Sequence, residues 1–250
     1  MPLDVASVFG TFNRLLLLQE CVESIRRSAG DLSQEIIVAD GGSTDGTVAY
    51  LEAQPDVVLI HGDLSGACPN FNLGFARAIE DEAQFINVFN DDLVFCGPEP
   101  AIVKAGDLMF QNPQIGGVVW ESDHHRDAAG NRSFGFETWR GWPYLNQGLV
   151  RREALMAVAR FLGDPSGKAF WGNTHKTYAA DTEAGISLWR LGYIVHCGAG
   201  LRVHDHEHQD AMKQKNRDEY TTGELFGRRF PAGSAEYNRD DAVRCGGFVR

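Results

Sequence analysis

Polar and acidic side chains that could hold a ligand stand directly behind short apolar runs at three places in this chain. Thr11 and Asn13 follow residues 5–9 (VASVF), Asp40-Gly41-Gly42-Ser43-Thr44-Asp45-Gly46-Thr47 follows 35–39 (EIIVA), and Asn90-Asp91-Asp92 follows 85–89 (FINVF). Carboxylates crowded at one locus repel each other, so a cation or a hydrogen-bond donor on a ligand is needed to offset them. Asp45 has a structural use of its own as N-cap of the helix that follows it. Asp40 closes a strand, and capping does not account for it. A fourth cluster, His204-Asp205-His206-Glu207-His208, alternates imidazoles in a way that can place them on one face of a strand, where their nitrogens can bind a metal.

Such residues act together only if a scaffold gathers chain positions that lie far apart. The runs 5–9, 35–39, 57–60 and 85–89 are continuously apolar rather than alternating, which marks strands buried on both faces. Helical periodicity separates them. Leu15, Leu18, Val22 and Ile25 recur at three- and four-residue steps, with Asn13 as N-cap and Gly30 as terminator, and 48–54 and 71–82 read as further helices. This alternation implies an α/β domain with a mostly parallel central sheet and helices on both faces; in such sheets ligands bind at the carboxyl ends of the strands. Beyond Pro98 the spacing predicts helices at 101–110, 152–160 and 182–191 and strands at 117–120 and 193–197. An irregular stretch is expected over 121–147 and a loop over 162–178. The expected domain is 1–209, followed by a polar tail, 210–250.

Composition narrows the function classes. The 250 residues include 23 Lys+Arg against 34 Asp+Glu, a net charge of −11, which disfavours a broad electrostatic grip on nucleic acid or anionic lipid. Any polyanionic ligand then needs a local device. No apolar run approaches the ~20 residues of a membrane span, so no integral membrane segment is expected and the default location is cytoplasmic. Five widely spaced cysteines without a CxxC pair indicate neither a disulfide framework nor a cysteine zinc site.

The segments 8–14 (VFGTFNR), 38–47 (VADGGSTDGT), 72–76 (NLGFA) and 88–92 (VFNDD) occur in an order and spacing that resemble the GT-A glycosyltransferases, family 2 in particular. Each alone is weak, and the four in register are specific. The resemblance continues through 146–155 (NQGLVRREAL), then through Asp181-Thr182-Glu183 ahead of Leu191-Gly192-Tyr193, and covers about residues 3–206. It implies a single GT-A domain with a nucleotide-binding half (1–97) and an acceptor-binding half (98–209). It also implies a nucleotide-diphospho-sugar donor, a glycan or other hydroxyl acceptor, and Mn²⁺ or Mg²⁺ as cofactor. By that resemblance Thr11, Asn13, Asp40 and Gly42 would line the nucleotide site, with Thr11 and Asp40 on the base. Asn90 and Asp91 would lie near the ribose and diphosphate, Asp92 would ligate the metal, and His204 would assist it. An acidic chain can bind a diphosphate in this way because the cation screens the phosphates and no basic patch is required.

Asp181 is the expected catalytic base, taking the acceptor proton in an inverting displacement; a helix N-cap is its structural alternative and is compatible with that role. Two departures from the family pattern bear on it: Ala180 stands where a first acid is usual, and Glu183 where a second Asp is common. Trp139, Trp142, Tyr144 and Trp171 could form a sugar-stacking platform or be buried, and His124-His125 are expected to be exposed. Three other readings frame the assignment. A retaining transferase would use the same scaffold, a nucleotidyltransferase would want more than Arg14 as the basic residue after the first strand, and a non-catalytic nucleotide- or glycan-binding module would account for Ala180. A dinucleotide oxidoreductase is disfavoured because no GxGxxG follows the first strand, and an independent zinc hydrolase site at 204–208 lacks further ligands at fixed spacing.

Overall fold

The computed structural model describes residues 3–139, 142–172, 180–197 and 199–206. The first hundred residues alternate as anticipated: β1 (Val5–Thr11), α1 (Leu15–Ala29), β2 (Gln34–Asp40), α2 (Thr47–Glu52), β3 (Val57–His61), α3 (Ala67–Glu80), β4 (Phe85–Val88) and β5 (Leu93–Cys96). There follow α4 (Ala101–Gln111), β6 (Ile115–Val119), β7 (Glu121–Arg126), β8 (Arg132–Gly135), β9 (Thr138–Trp139), β10 (Trp142–Pro143) and β11 (Gly148–Arg151). The described chain ends with α5 (Arg152–Phe161), α6 (Ala180–Arg190), β12 (Ile194–His196) and β13 (Arg202–Asp205).

A seven-stranded sheet in the order β12-β6-β11-β4-β1-β2-β3 forms the centre. Its strands are parallel except β11, which runs against both β4 and β6. Register decides what meets at the rim. Thr11 lies opposite Asp40 across β1 and β2, while Gly148, at the start of antiparallel β11, lies opposite Val88 near the end of β4. The segment 89–92 and the residues leading into β11 therefore reach the same edge. One continuous apolar core joins the two halves, running from Val5, Phe9 and Phe75 to Leu149, Leu155 and Val195. Within it a buried polar chain ties β1 and β4 to the junction between β6 and β7: Asn87 donates to Ser7 Oγ at 3.0 Å and accepts from Trp120 Nε1 at 3.0 Å. Losing one partner would strand the others away from water, at a cost of about 1–3 kcal/mol each.

Three local expectations change. Helix α3 starts at Ala67 rather than Phe71, since Pro69 falls in its first turn, where a missing N–H costs nothing. Asn13 does not cap α1; its backbone is left-handed at φ 52°, and the Leu15 N–H is taken by Asp45 Oδ2 at 3.0 Å. The stretch 121–147 is not irregular. It contains the β7–β8 hairpin, whose turn is closed by Asp127 accepting the N–H groups of Ala129 and Asn131, and the short β9–β10 pair. With β5 and β13 the hairpin makes a second, four-stranded sheet in the order β5-β13-β7-β8. Among the described residues no helix is long and apolar enough to cross a membrane. The segments 173–179 and 207–250, and with them Glu207, His208 and the expected tail, lie outside the described residues.

Candidate active site

The loop after β2 is shaped by its own carboxylates. Asp40 is 1% exposed, and its Oδ2 accepts the N–H groups of Gly42 at 2.8 Å and Ser43 at 2.9 Å. This folds the glycine pair back over the strand end, with Gly42 at φ 94°, a conformation that disfavours any side chain. The other oxygen, Asp40 Oδ1, is buried without a hydrogen-bond partner among the described residues. A buried unpaired acceptor is costly unless a ligand donor meets it. Asn13 stitches the same loop to the end of β1, accepting the Thr44 N–H at 2.7 Å while its own N–H donates to Ser43 Oγ at 2.8 Å.

The acids after β4 are buried as well. Asp91 is 3% and Asp92 6% exposed, whereas Asn90 is exposed at the rim. Asp91 Oδ2 accepts from Thr11 Oγ1 at 2.8 Å, and its Oδ1 meets Arg14 Nη1 at 2.6 Å. Arg14 also reaches Asp92 Oδ2 at 3.7 Å. Burial pushes the Asp91 carboxyl up to about 6; Arg14 opposes that and the neighbouring Asp92 adds to it. Arg14, at the N-terminus of α1, is the residue that sequence reasoning undervalued, since it organises both acids. Thr11, Arg14 and Asp91 line a cavity of about 130 Å³ with Gly10, Phe12, Gly41, Leu64, Ala67 and Phe71 among its other walls. A space of this volume can take a planar heterocycle.

A divalent cation suits the donor set here. Carboxylate oxygens are hard ligands, and Mg²⁺ or Mn²⁺ is commonly held by one or two of them, with water and substrate phosphates filling the remaining positions. Asp91 and Asp92 are buried carboxylates at this edge that could hold it, and Arg14 is within ion-pair range of both.

The groups expected on the acceptor side begin at α6. Asp181 lies in the first turn of α6, half-buried, and Thr182 N–H donates to its Oδ1 at 2.7 Å. Burial raises its carboxyl pKa, and the charge of Glu137 adds to that against the Thr182 hydrogen bonds. Asp181 is in turn close enough to raise the Cys68 thiol, at the start of α3, and the Tyr144 phenol, in both cases second to burial. Asp181 is thus within electrostatic range of the start of α3, where Ala67 lines the rim cavity. Glu183 is buried.

His204 engages Asp123 through Nδ1 at 2.7 Å, while the neighbouring His206 donates its backbone N–H to the Asp92 carbonyl at 3.0 Å and sets its ring against Glu20 at 3.2 Å. Trp171 does not join a surface platform. It is 6% exposed and packs on Phe71 with ring centroids 4.0 Å apart, supporting the cavity wall from beneath. Asn72 holds that contact by accepting from Trp171 N–H and donating to the Gly172 carbonyl. The side chains of Trp139 and Trp142 lie outside the described residues. His124 and His125 are half-buried rather than exposed, because the β7–β8 hairpin folds them toward Glu137.

Residues 8–99 match the family model described as glycosyl transferase family 2. No curated protein sequence matches the chain. Among solved structures, the chain is similar to the mannosyltransferase PcManGT from Pyrobaculum calidifontis in complex with GDP-Man and Mn²⁺. The TM-score is 0.63 at 14% identity, over 97% of this chain and 68% of that one. It is also similar to S. aureus TarS 1-349 in complex with UDP-GlcNAc, with a TM-score of 0.59 at 13% identity over 97% and 70% of the respective chains. It spans 34% of a longer TarS chain. The fold is thus the GT-A fold, and the matched segment carries the rim residues Thr11, Asp40, Asp91 and Asp92. The family 2 match thus spans 92 of the 250 residues, on a fold similar to that of the two solved transferase structures.

Proposed function

We propose that this chain transfers a sugar from a nucleotide-diphosphate donor to a hydroxyl acceptor, with inversion, in a reaction dependent on Mn²⁺ or Mg²⁺. The observation that carries the reading is the rim itself, where the buried Arg14–Asp91 pair and Gly41, next in sequence to the unpaired Asp40 Oδ1, line one cavity. Asp40 would accept a hydrogen bond from a ring nitrogen of the base, between walls that include Phe12, Leu64 and Phe71. Asn90 and Asp91 would face the ribose and diphosphate. A cation held by Asp92 would supply Lewis-acid stabilisation of the charge on the departing diphosphate.

Asp181 would take the acceptor proton. The hydroxyl oxygen forms a bond to the anomeric carbon as the bond from that carbon to the phosphate oxygen breaks, with the electron pair leaving on the nucleoside diphosphate. A carboxyl raised by burial is a stronger base than a free aspartate and suits this step. The two nucleotide sugars bound by the similar structures carry different bases, so the base is left to measurement.

Thermal-shift titration with UDP, GDP, CDP and dTDP, with and without Mn²⁺, is the test. One nucleotide is expected to stabilise the chain in a metal-dependent manner, by about 2.7 kcal/mol at a hundredfold excess over Kd. No shift with any nucleotide would defeat the reading, and a product of retained anomeric configuration would remove the direct role of Asp181.

A further inference from the structure

The β7–β8 hairpin carries a cluster that the donor site does not use. His124, His125 and Glu137 each present one ligand atom, and the three atoms lie within 4.8 Å of one another. Glu137 Oε1 is 2.8 Å from His124 Nε2 and 4.0 Å from His125 Nε2. These spacings bracket the ~3.4 Å that tetrahedral ligands keep around a metal at bond lengths of about 2.0–2.1 Å.

Three further features show that the arrangement is built. First, the pairing of β7 with β8 advances three residues on one strand for two on the other, from Ser122 opposite Gly135 to His125 opposite Ser133. Such a bulge lets consecutive residues share a face, and the two imidazoles accordingly stack with centroids 4.2 Å apart. Second, the ring of His125 occupies the space above Gly135, where a Cβ would lie 2.9 Å from its Cγ. Third, His125 Nε2 is buried and has no hydrogen-bond partner among the described residues. Meanwhile His124 Nδ1 is held by Ser122 Oγ at 2.7 Å, which leaves Nε2 to face Glu137. A hydrogen bond on the far ring nitrogen is the outer support that metal-binding histidines ordinarily have.

We propose that His124, His125 and Glu137 form a site for a borderline transition metal, Zn²⁺ foremost, separate from the cation at Asp92. Two imidazoles and one carboxylate select such a metal over the harder Mg²⁺. Three protein ligands leave a fourth position open to water or to an oxygen of a bound molecule. The site stands on the acceptor side, since Glu137 acts electrostatically on both Asp181 and Tyr144. A metal there would reverse the sign of that influence. The assignment does not depend on the catalytic role given to Asp181.

The full chain is equilibrated with Zn²⁺ in the presence of excess Mg²⁺, freed of unbound metal by gel filtration, and its metal content measured; Co²⁺ loading, read by visible absorption, reports the geometry. One Zn²⁺ per chain is expected, with tetrahedral Co²⁺ bands. His125→Ala and Glu137→Gln should each abolish retention while keeping the nucleotide-dependent thermal shift, and Asp92→Asn should retain the metal. Ser122→Ala should weaken binding by roughly 10–100-fold. Where ligand variants fail to fold, Gly135→Ala keeps all three ligands and should still weaken binding by crowding His125. Absence of Zn²⁺ from the wild type, retention in both ligand variants, wild-type affinity in Gly135→Ala, or loss in Asp92→Asn would each overturn the proposal.

Discussion

Asp40, in the half expected to bind the donor, is held by backbone N–H groups close in sequence, whereas Asp123 and Glu137, in the half expected to bind the acceptor, are held by groups from other strands. Asp40 is fixed by Gly42 and Ser43, two and three residues on. Asp123 is fixed by His204 and by the Asp205 N–H, more than eighty residues away, and Glu137 faces two histidines across the hairpin. The difference separates two kinds of robustness. A loop that ties its acid to its own backbone keeps its geometry when distant packing shifts, whereas a site assembled from strand neighbours depends on register and loses several contacts at once when a strand slips. Substitutions in the two halves should therefore fail differently, the donor half through nucleotide binding and the acceptor half through turnover.

The largest effect is expected at Asp92. Asp92→Ala removes the carboxylate proposed to hold the cation and should lower kcat/KM by about a thousandfold or more, the scale of several kcal/mol of charge stabilisation. It should also erase the Mn²⁺-dependent part of the nucleotide thermal shift. Full metal dependence in that variant would break the donor-half assignment. Next comes Asp181→Asn, expected to cut kcat by roughly 10²–10⁴-fold with donor affinity unchanged. Burial raises this carboxyl and the base form is required, so wild-type kcat should fall as pH drops through a value above that of a free aspartate. That acid limb should vanish in Asp181→Asn. A matching loss of nucleotide affinity would show that the two halves are not separable.

Legibility follows the same division. Strands β1 to β4 could be read because each is a continuous apolar run, and Asp40, Asp91 and Asp92 because each stands directly after one. The hairpin escaped because β7 reads Glu-Ser-Asp-His-His-Arg, with no apolar period, its pairing being set by β13 and β8 rather than by its own pattern. Arg14 gave no signal as a partner of the acids, since 77 residues separate it from Asp91. For Trp171, an aromatic in a glycine-flanked loop reads the same whether it stacks on a sugar or, as here, on Phe71.

Arg14→Ala tests how far the half expected to bind the donor depends on a long-range ion pair. Breaking a buried ion pair on one side costs about 3–5 kcal/mol, and the figure here should fall toward the lower end because Arg14 keeps 15% side-chain exposure. The pH dependence has a definite sign. Asp91 already titrates near 6 in the folded chain, above its unfolded value, so the folded state binds the extra proton and stability falls as pH rises from about 4 to about 6. Removing Arg14 moves the folded value higher still. The deficit in Tm against wild type should be larger at pH 8 than at pH 5; a deficit independent of pH would mean that the guanidinium acts by packing alone.

The smallest effect is also the sharpest test of backbone-held geometry. Asp45 accepts the N–H of Leu15 at 3.0 Å through one oxygen and that of Thr47 at 3.1 Å through the other, so one exposed carboxylate serves the first turns of both α1 and α2. Gly46 rather than Asp45 is the N-cap residue of α2, yet losing a side-chain acceptor for first-turn N–H groups costs on the same scale as losing a cap, about 0.5–2 kcal/mol. Asp45→Ala should lower stability by about 1–2 kcal/mol, a Tm decrease of roughly 2–8 °C for a chain of this size. Asp45→Asn, which keeps one acceptor oxygen, should recover part of it. Because Asp40 is anchored separately by Gly42 and Ser43, nucleotide affinity should change less than twofold in either variant. A larger loss would show that the loop after β2 holds its shape through α1 as well, and that the donor half shares the register dependence of the acceptor half.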